Sequence, residues 1–217
     1  MIDVAAKLLL GYLLGTVVGS LVLGRFWGGV DIRTQGSGNA GGSNALRTRG
    51  PWFALCVVII DVGKGWLAAR WVPQLSWGVG APLRGDDLAE WLAPGCALAA
   101  IAGHMRPVWF GWRGGKGVAT FLGALSALNL PLLGVFLIAW MAAMILSGYV
   151  GLASVLAASA VTVGVVRPGN GAQWPMQAFV CLAALMIVFA HRGNLRRIRS
   201  GSEPRVRRIW LLGRMRK

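Results

Sequence analysis

The chain has 217 residues, of which 56% are apolar and 13% are charged, and its mean hydropathy is +0.62. Soluble domains carry about a quarter charged residues, so this composition excludes a soluble enzyme, a disordered regulator and a secreted disulfide scaffold, and indicates a polytopic membrane protein. A net charge of +15 would suggest nucleic acid as a partner of a soluble protein, but here the basic residues lie between and after apolar runs, as they do on the cytoplasmic face of a membrane protein. No nucleic-acid partner is therefore expected.

Apolar runs at seven places are long enough, or nearly so, to cross a bilayer as helices, which takes roughly 20 residues. They lie at 4–24, 51–71, 88–103, 118–128, 130–146, 150–166 and 174–190. The third and fourth runs are short and adjoin the polar stretch 104–116, which indicates helices that end partway into the membrane beside a wet site. Only Asn129 separates the fourth and fifth runs, with Pro131 at the start of the fifth, so five or six spans are alternatives. The predicted fold is an all-α integral membrane protein, a polytopic bundle of about seven transmembrane helices, some of them short.

The basic residues predict the orientation of the chain. Most of the 22 lysines and arginines lie in 25–50, 104–116 and the segment after 190, which seven spans place on one side. The positive-inside rule makes that side cytoplasmic, so the N-terminus is expected outside and the C-terminus inside. Almost every polar motif lies on the same side. We therefore expect one transmembrane catalytic domain over 1–217, with cytoplasmic motif loops and a basic cytoplasmic tail at 190–217.

The first polar motif, at 36–47, is rich in glycine, serine and asparagine. Such composition is usual for a flexible linker. However, Asn39 and Asn44 offer amides that bond through both ends, Arg47 offers a planar fork suited to phosphate, and glycines let successive N–H groups turn inward as an anion nest. These features favour a phosphate-binding loop.

The second motif, at 103–120, places Gly-Gly-Lys-Gly directly before an apolar helix. A lysine and bare backbone N–H groups at a helix N-terminus form an anion site. Gly117 stands where a Walker A loop needs Ser or Thr, so ATP hydrolysis is not expected. The alternative for Lys116 is a cytoplasmic anchor whose ammonium reaches the membrane boundary.

The third motif, at 191–203, follows the last span. A positive-inside stop explains its arginines but not His191 and Asn194, which would share one face if the last helix continued that far.

A fourth feature is Asp61 with Lys64 inside an apolar run. At i, i+3 they form a structural pair or belong to the site, and neither alternative is favoured. Ser147 and Ser154 are expected either to donate hydrogen bonds at the site or to bond their own helix.

The motifs exclude several classes of enzyme. Position 109 is Trp and position 196 is Arg, so the His-x4-Asp pattern of the common glycerolipid acyltransferases is absent, and no metal-ligand cluster or dinucleotide fingerprint is found. What the sequence offers is many cations and N–H donors beside a hydrocarbon phase. Such a site suits two anionic substrates, of which at least one carries an acyl chain.

Taken together, the motifs closely resemble those of the bacterial membrane acyltransferases that move an acyl group from acyl phosphate to glycerol 3-phosphate. The matching residues are Ser37-Gly-Asn-x-Gly-x-Ser-Asn44 with Arg47, Gly103-His-x-x-Pro107 with Gly114-Gly-Lys-Gly-Val-Ala-Thr120, and His191-x-x-Asn-x-x-Arg197 with Gly201-x-Glu203. The Asp61-x-x-Lys64-Gly65 element also fits. The resemblance runs the length of the chain and departs at Gly151, where a serine is expected.

This resemblance implies a monomeric enzyme of the bacterial inner membrane, with a cytoplasmic site and no metal or cofactor. Its donor would be acyl phosphate, with no acyl-CoA or acyl carrier protein required, and its products would be lysophosphatidic acid and phosphate, the first step of phospholipid synthesis. The expected catalytic residues are Ser37, Lys116, His191 and Asn194. The expected substrate-binding residues are Gly38, Asn39, Gly41, Asn44, Arg47, His104, Gly114, Gly115, Gly117, Ser154, Arg197 and Glu203.

Two alternatives belong to other classes. A membrane transporter of phosphorylated or anionic lipid substrates would use the basic loops to bind headgroups without chemistry, although motifs gathered on one face count against a translocation path. A non-catalytic scaffold would bind anionic lipid through 204–217, which does not explain Asn39, Asn44 or Asn194.

Overall fold

The computed structural model describes residues 2–76, 86–167, 169, 171, 173–206 and 210–211, and these residues are helical throughout their regular elements, with no strand among them. The α-helices are α1 (Ile2–Gly15), α2 (Gly19–Phe26), α3 (Gly42–Arg49), α4 (Pro51–Arg70), α5 (Asp86–Met105), α6 (Val118–Leu128), α7 (Leu130–Ser147), α8 (Val150–Val166), α9 (Trp174–Ala190) and α10 (Arg192–Arg199). Short 3₁₀ turns lie at Ile32–Thr34, Val72–Gln74 and Val108–Phe110. The predicted all-helical class is confirmed.

The apolar runs form helices close to their predicted bounds. Three helices, α6, α8 and α9, match their runs residue for residue. Because Asn129 caps α7 by accepting the Leu132 N–H at 3.1 Å, the fourth and fifth runs are two separate helices. A bilayer core offers no water to satisfy backbone groups. A long apolar run there therefore forms a helix, which satisfies these groups within the segment.

The first run, predicted as one span, is not one continuous helix. It is broken between α1 and α2, whose axes are bent by 53°. By length and hydropathy, two helices of the described residues, Pro51–Gln74 and Leu130–Ser147, can cross a membrane, or up to four if each bent pair is one span; Val118–Leu128 and Val150–Val166 are shorter apolar helices. The count of seven spans stays a prediction.

The chain divides into two compact units, 1–128 and 129–217. In the first unit α4 packs against α6, and α1 packs against α5. Small residues permit close approach: a Cβ at Gly65 would run into the carbonyl of Thr120, and one at Gly15 would meet that of Ala100. Such contacts are typical of helix pairs in membranes, where van der Waals packing drives association.

In the second unit α8 packs against both α7 and α9, and α10 contacts α8 and α9. The core side is lined by small residues such as Ala153, Ala157 and Ala183, which are fully buried. Large apolar side chains point outward instead; Ile138 is 74% exposed and Leu185 is 65% exposed. An outward apolar surface of this kind is suited to lipid rather than to water.

Candidate active site

The first motif folds into an ordered loop around the side chain of Asn44. Asn44 lies on α3. Its amide Nδ2 donates to the carbonyls of Ile32 at 2.9 Å and Gln35 at 3.0 Å, and its Oδ1 accepts the backbone N–H of Ser37 at 2.9 Å. Asn44 is 2% exposed. The amide thus uses both of its N–H donors to shape the loop, so the linker alternative is wrong. A direct contact between Asn44 and substrate stays a prediction.

The other predicted ligands of this loop are exposed or half-buried. Ser37, Gly38 and Arg47 are exposed, and Asn39 and Gly41 are half-buried. Gly38 has a φ of +71°, a conformation that glycine adopts at little cost. Because the Ser20 hydroxyl donates to the Ala40 carbonyl at 2.7 Å, the loop is also anchored to α2. The exposed hydroxyl and guanidinium are therefore presented by a fixed backbone.

Arg33, which sequence reasoning counted only as a cytoplasmic charge, connects the first two motif segments. Its Nη1 donates to the carbonyls of Phe110 and Arg113, at 2.7 Å each. Asp31 pairs with the same guanidinium at 2.6 Å, and this hydrogen-bonded pairing holds the pKa of the Asp31 carboxyl below its usual value. No sequence signal separates Arg33 from its neighbours, since the positive-inside rule explains any arginine there.

The second motif ends at the N-terminus of α6, as predicted. Lys116 is half-buried, and Gly117, with a φ of +82°, precedes the first helical residue, Val118. The N–H groups of Gly114 and Gly115 are not bare, however: they donate to Met105 at 3.2 Å and His104 at 3.1 Å. These bonds satisfy carbonyls at the end of α5, which lack partners within their own helix. The N–H donors of the predicted anion site are therefore those of the first turn of α6.

His104 lies beneath this loop, in contact with Asp61 and Lys64. The three side chains are buried, with exposures of 1–4%. The Lys64 ammonium is 2.8 Å from Asp61 Oδ1 and 2.7 Å from His104 Nδ1. The sequence left open whether Asp61 and Lys64 were a structural pair or part of the site. They pair with each other and contact one predicted site residue, His104.

In the second unit, His191 occupies the bend between α9 and α10. The two helix axes differ by 49°, so the last helix does not continue straight through His191 and Asn194 as one face. His191 Nδ1 is 2.8 Å from the carbonyl of Ile187. A carbonyl only accepts hydrogen bonds, so Nδ1 carries a proton, and in the neutral ring Nε2 then carries the lone pair. That tautomer is the one required of a general base acting through Nε2.

Two other residues of the third motif donate hydrogen bonds to one carboxylate, that of Glu203. Asn194 Nδ2 donates to Glu203 Oε1, and Arg197 Nε donates to Glu203 Oε2, each at 2.6 Å. Asn194 is 9% exposed and lies against Gly151 of α8, where an added Cβ would come within 2.8 Å of the Asn194 Cβ. The absence of a side chain at 151 therefore leaves room for Asn194.

Ser154 is buried in the second unit and bonds its own helix. Its hydroxyl donates to the Val150 carbonyl at 2.9 Å and accepts from Trp140 Nε1 at 3.3 Å. The Ser147 hydroxyl likewise donates to the Ala143 carbonyl at 2.6 Å. Of the two alternatives considered for these serines, the structure shows bonding to the helix. A contact between Ser154 and substrate stays a prediction.

Each unit thus gathers its own predicted residues. The first unit joins the loop around Asn44 to the segment before α6 through Arg33, and the second joins Asn194, Arg197 and Glu203 beside His191. A fully buried hydroxyl, Thr120 Oγ1 at the start of α6, has no hydrogen-bond partner among the described residues.

Comparison with known proteins gives one consistent match. The family model described as glycerol-3-phosphate acyltransferase matches residues 5–201. A glycerol-3-phosphate acyltransferase from Synechococcus sp. (strain CC9902) is 40% identical over 203 residues, covering 92% of this chain and 93% of that protein. One from Cereibacter sphaeroides is 39% identical over 197 residues, covering 91% and 87%.

Two solved structures also match this chain. The crystal structure of PlsY (YgiH), an integral membrane glycerol 3-phosphate acyltransferase, in its glycerol 3-phosphate form superposes with a TM-score of 0.81 at 30% identity, covering 93% of this chain and 94% of that chain. The lysophosphatidic acid form of the same protein gives a TM-score of 0.79 at 29% identity.

Proposed function

The chain belongs to the glycerol-3-phosphate acyltransferase family of integral membrane enzymes, and we propose that it transfers an acyl group from acyl phosphate to the sn-1 hydroxyl of glycerol 3-phosphate. The products are lysophosphatidic acid and inorganic phosphate. The observation that carries this proposal is the ordered loop around Asn44, which presents Ser37 and Arg47 from a fixed backbone. A flexible linker would not hold a hydroxyl and a guanidinium in one arrangement.

The proposed reaction is a single acyl transfer. The substrate hydroxyl oxygen attacks the acyl carbonyl carbon, the bond from that carbon to the phosphate oxygen breaks, and the hydroxyl proton passes to a base. Acyl phosphate is a mixed anhydride with a good leaving group, so a strong base is not required. The two candidates for the base are His191 Nε2 and a phosphate oxygen of a substrate.

The proposed roles follow from the chemistry of each group. Arg47 and Lys116 neutralise phosphate charge, and Arg47 offers the planar fork that matches phosphate oxygens. Ser37, Asn194 and the N–H groups of the first turn of α6 stabilise the oxyanion that develops on the carbonyl. In its neutral form His191 would have the tautomer of an Nε2 base, because its Nδ1 donates to Ile187.

The proposal also places the protein in the inner membrane of a bacterium, as a monomer with its motif loops and C-terminus on the cytoplasmic side and its N-terminus outside. The support for this orientation is the gathering of basic residues in 25–50, 104–116 and the segment after 190, which the positive-inside rule assigns to the cytoplasm. Acyl phosphate, glycerol 3-phosphate and the bilayer are then its partners.

A donor comparison tests this function. The purified protein is given glycerol 3-phosphate with either acyl phosphate or acyl-CoA, and phosphate and lysophosphatidic acid are measured. We expect the two products in equal amounts from acyl phosphate and no lysophosphatidic acid from acyl-CoA. A transporter or a lipid-binding scaffold would release no phosphate, and that result would reject the proposal.

A matched pair of variants ties the activity to the loop. Arg47 and Arg49 are both exposed on α3, two residues apart and so on different faces of the helix. Arg47→Gln is expected to lower the rate about 100-fold or more, as does the loss of one donor to a developing charge. Arg49→Gln is expected to leave the rate unchanged.

A further inference from the structure

A buried lysine, Lys64, has all of its hydrogen-bonding capacity used within the first unit. Its ammonium nitrogen lies 2.8 Å from the Val17 carbonyl, 2.8 Å from Asp61 Oδ1 and 2.7 Å from His104 Nδ1. The side chain is 4% exposed. An ammonium group has three N–H donors and no acceptor, so the three neighbours take one donor each.

This arrangement favours one tautomer of the neutral His104 ring. Because the ammonium can only donate, His104 Nδ1 must accept, and the single proton of the neutral ring then lies on Nε2. The distance from His104 Nδ1 to Asp61 Oδ1 is 3.4 Å, which fits two acceptors that share one ammonium. The neutral rings of His104 and His191 would thus be opposite tautomers, since Nδ1 of His191 donates to a carbonyl.

The pair of Asp61 and Lys64 also satisfies two backbone groups at the break in the first apolar run. Lys64 donates to the Val17 carbonyl, and Asp61 Oδ1 accepts the Gly19 N–H at 3.1 Å. These two backbone groups lie at the junction of α1 and α2, where a continuous helix would have satisfied them. A backbone group left unsatisfied away from water is costly, so the pair stabilises the bend. The bend in turn directs α2, whose Ser20 anchors the loop around Asn44.

His104, which the pair contacts, packs against the segment before α6. Its ring lies directly against the Cα of Gly115, where an added Cβ would run into Nε2, and its carbonyl accepts the Gly115 N–H at 3.1 Å. The next residue is Lys116. A rotation of the ring, or a change in which nitrogen is protonated, would therefore act on the backbone that carries Lys116.

We propose that Asp61 and Lys64 are positioning residues for acyl transfer, which hold His104 as its neutral Nε2–H tautomer and through its ring set the backbone of Gly114–Lys116. Neither residue touches substrate in this proposal. The inference rests on the proposed function insofar as this backbone binds a substrate phosphate. It follows that weakening the pair raises KM for the substrate whose phosphate is bound there and leaves kcat nearly unchanged.

The tautomer is tested first, because its measurement does not depend on activity. The chain contains two histidines, so the full-length protein labelled with ¹⁵N in its imidazoles gives two sets of ring signals, and the loss of one set in His191→Gln assigns the remaining set to His104. We expect His104 to show an unprotonated Nδ1 and a protonated Nε2. A protonated Nδ1, or a ring protonated at both nitrogens, would overturn the proposal.

Kinetics test the positioning role. The double variant Asp61→Asn with Lys64→Met removes both charges together, which avoids the large penalty of one unpaired buried charge, and the amide oxygen introduced at position 61 can still accept the Gly19 N–H. We expect a folded protein in which KM for one substrate rises about tenfold or more, the size expected when charge-assisted hydrogen bonds are lost, while kcat stays within about threefold.

A second ion pair of the first unit, between buried Lys7 and half-buried Asp3, provides the control. Lys7 lies 2.9 Å from Asp3 in α1 and is 6% exposed, and the variant Asp3→Asn with Lys7→Met removes it in the same unit. This control is expected to leave both KM values unchanged. If the Asp61 and Lys64 double variant keeps both KM values, or loses only kcat, the positioning role is wrong. If the wild-type protein releases no phosphate, the proposed function fails, and the ring signals of His104 still decide whether the pair fixes the tautomer.

Discussion

The side-chain oxygen of Asn44 accepts the backbone N–H of Ser37 at 2.9 Å, across seven residues of a glycine-rich loop. The amide nitrogen of Asn44 donates to two carbonyls of the same segment. A single buried amide thus replaces the regular hydrogen bonding that a loop of this composition lacks. The exposed hydroxyl of Ser37 owes its position to Asn44 rather than to the glycines around it.

Asn44→Asp is the sharpest test of this role, because it keeps the shape of the side chain and removes both donors. The carboxylate would then face the carbonyls of Ile32 and Gln35, so the variant loses two hydrogen bonds and gains repulsion. We expect a lower melting temperature, corresponding to about 2 kcal/mol or more, and a loss of phosphate release as large as that of Ser37→Ala. Ser43→Ala, at the neighbouring position, is the control; an Asn44→Asp protein as active as this control would show that the loop does not need the amide.

Glu203 is expected to hold the third motif together. Glu203→Gln removes the negative charge that accepts from both Asn194 and Arg197. Since Arg197 is 45% exposed, water screens part of this loss, and we expect about 1–2 kcal/mol of destabilisation. Phosphate release should fall as well, because Asn194 loses its fixed orientation. Thermal unfolding and rate are compared with Arg199→Gln on the same helix, and equal values for the two variants would contradict the role of Glu203.

His191 is expected to act as the base only if its removal changes the pH profile. His191→Ala should lower kcat by about 100-fold or more and abolish the decrease in rate on the acid side, where an imidazole base becomes protonated. The measurement is phosphate release as a function of pH. Near-normal turnover with an unchanged profile would assign proton removal to a substrate phosphate oxygen instead.

Two glycines of α4 test the packing of the first unit. A Cβ at Gly65 would strike the Thr120 carbonyl of α6, whereas nothing lies within 4 Å of one at Gly63. Gly65→Ala is expected to cost about 1–3 kcal/mol of stability, and Gly63→Ala is expected to be neutral or to stabilise by about 0.5–1 kcal/mol through its better helix propensity. The melting temperatures of the two variants in detergent give the comparison; similar values would mean that α4 and α6 are not in close contact.

The helices were largely predictable and their interruptions were not. The runs that became α6, α8 and α9 have their observed bounds because an apolar run in a membrane has no other way to satisfy its backbone. The break between α1 and α2 carries no such signal, since Thr16, Val17 and Val18 are compatible with a continuing helix. The groups that stabilise it, Asp61 and Lys64, lie more than 40 residues away in sequence.

The site residues divide in the same way. Residue types that suit phosphate, such as Arg47 and Lys116, can be identified from motifs because their chemistry is local. Arg33, which joins two motif segments, is indistinguishable by sequence from a topological charge, and the partners of Gly114 and Gly115 depend on where α5 ends. Tertiary contacts decide these roles, and they appear only once the helices are packed.

The proposed function requires that the motif segments of both units lie on the cytoplasmic side of the membrane. Single cysteines at Gln35 and Arg199, both exposed positions, are introduced into a chain whose Cys56, Cys96 and Cys181 are replaced by alanine, after phosphate release has shown that each variant is active. A thiol reagent that cannot cross the membrane is applied to sealed vesicles of each orientation. We predict that both cysteines react only in inside-out vesicles; a reaction of the two from opposite sides would contradict the claim.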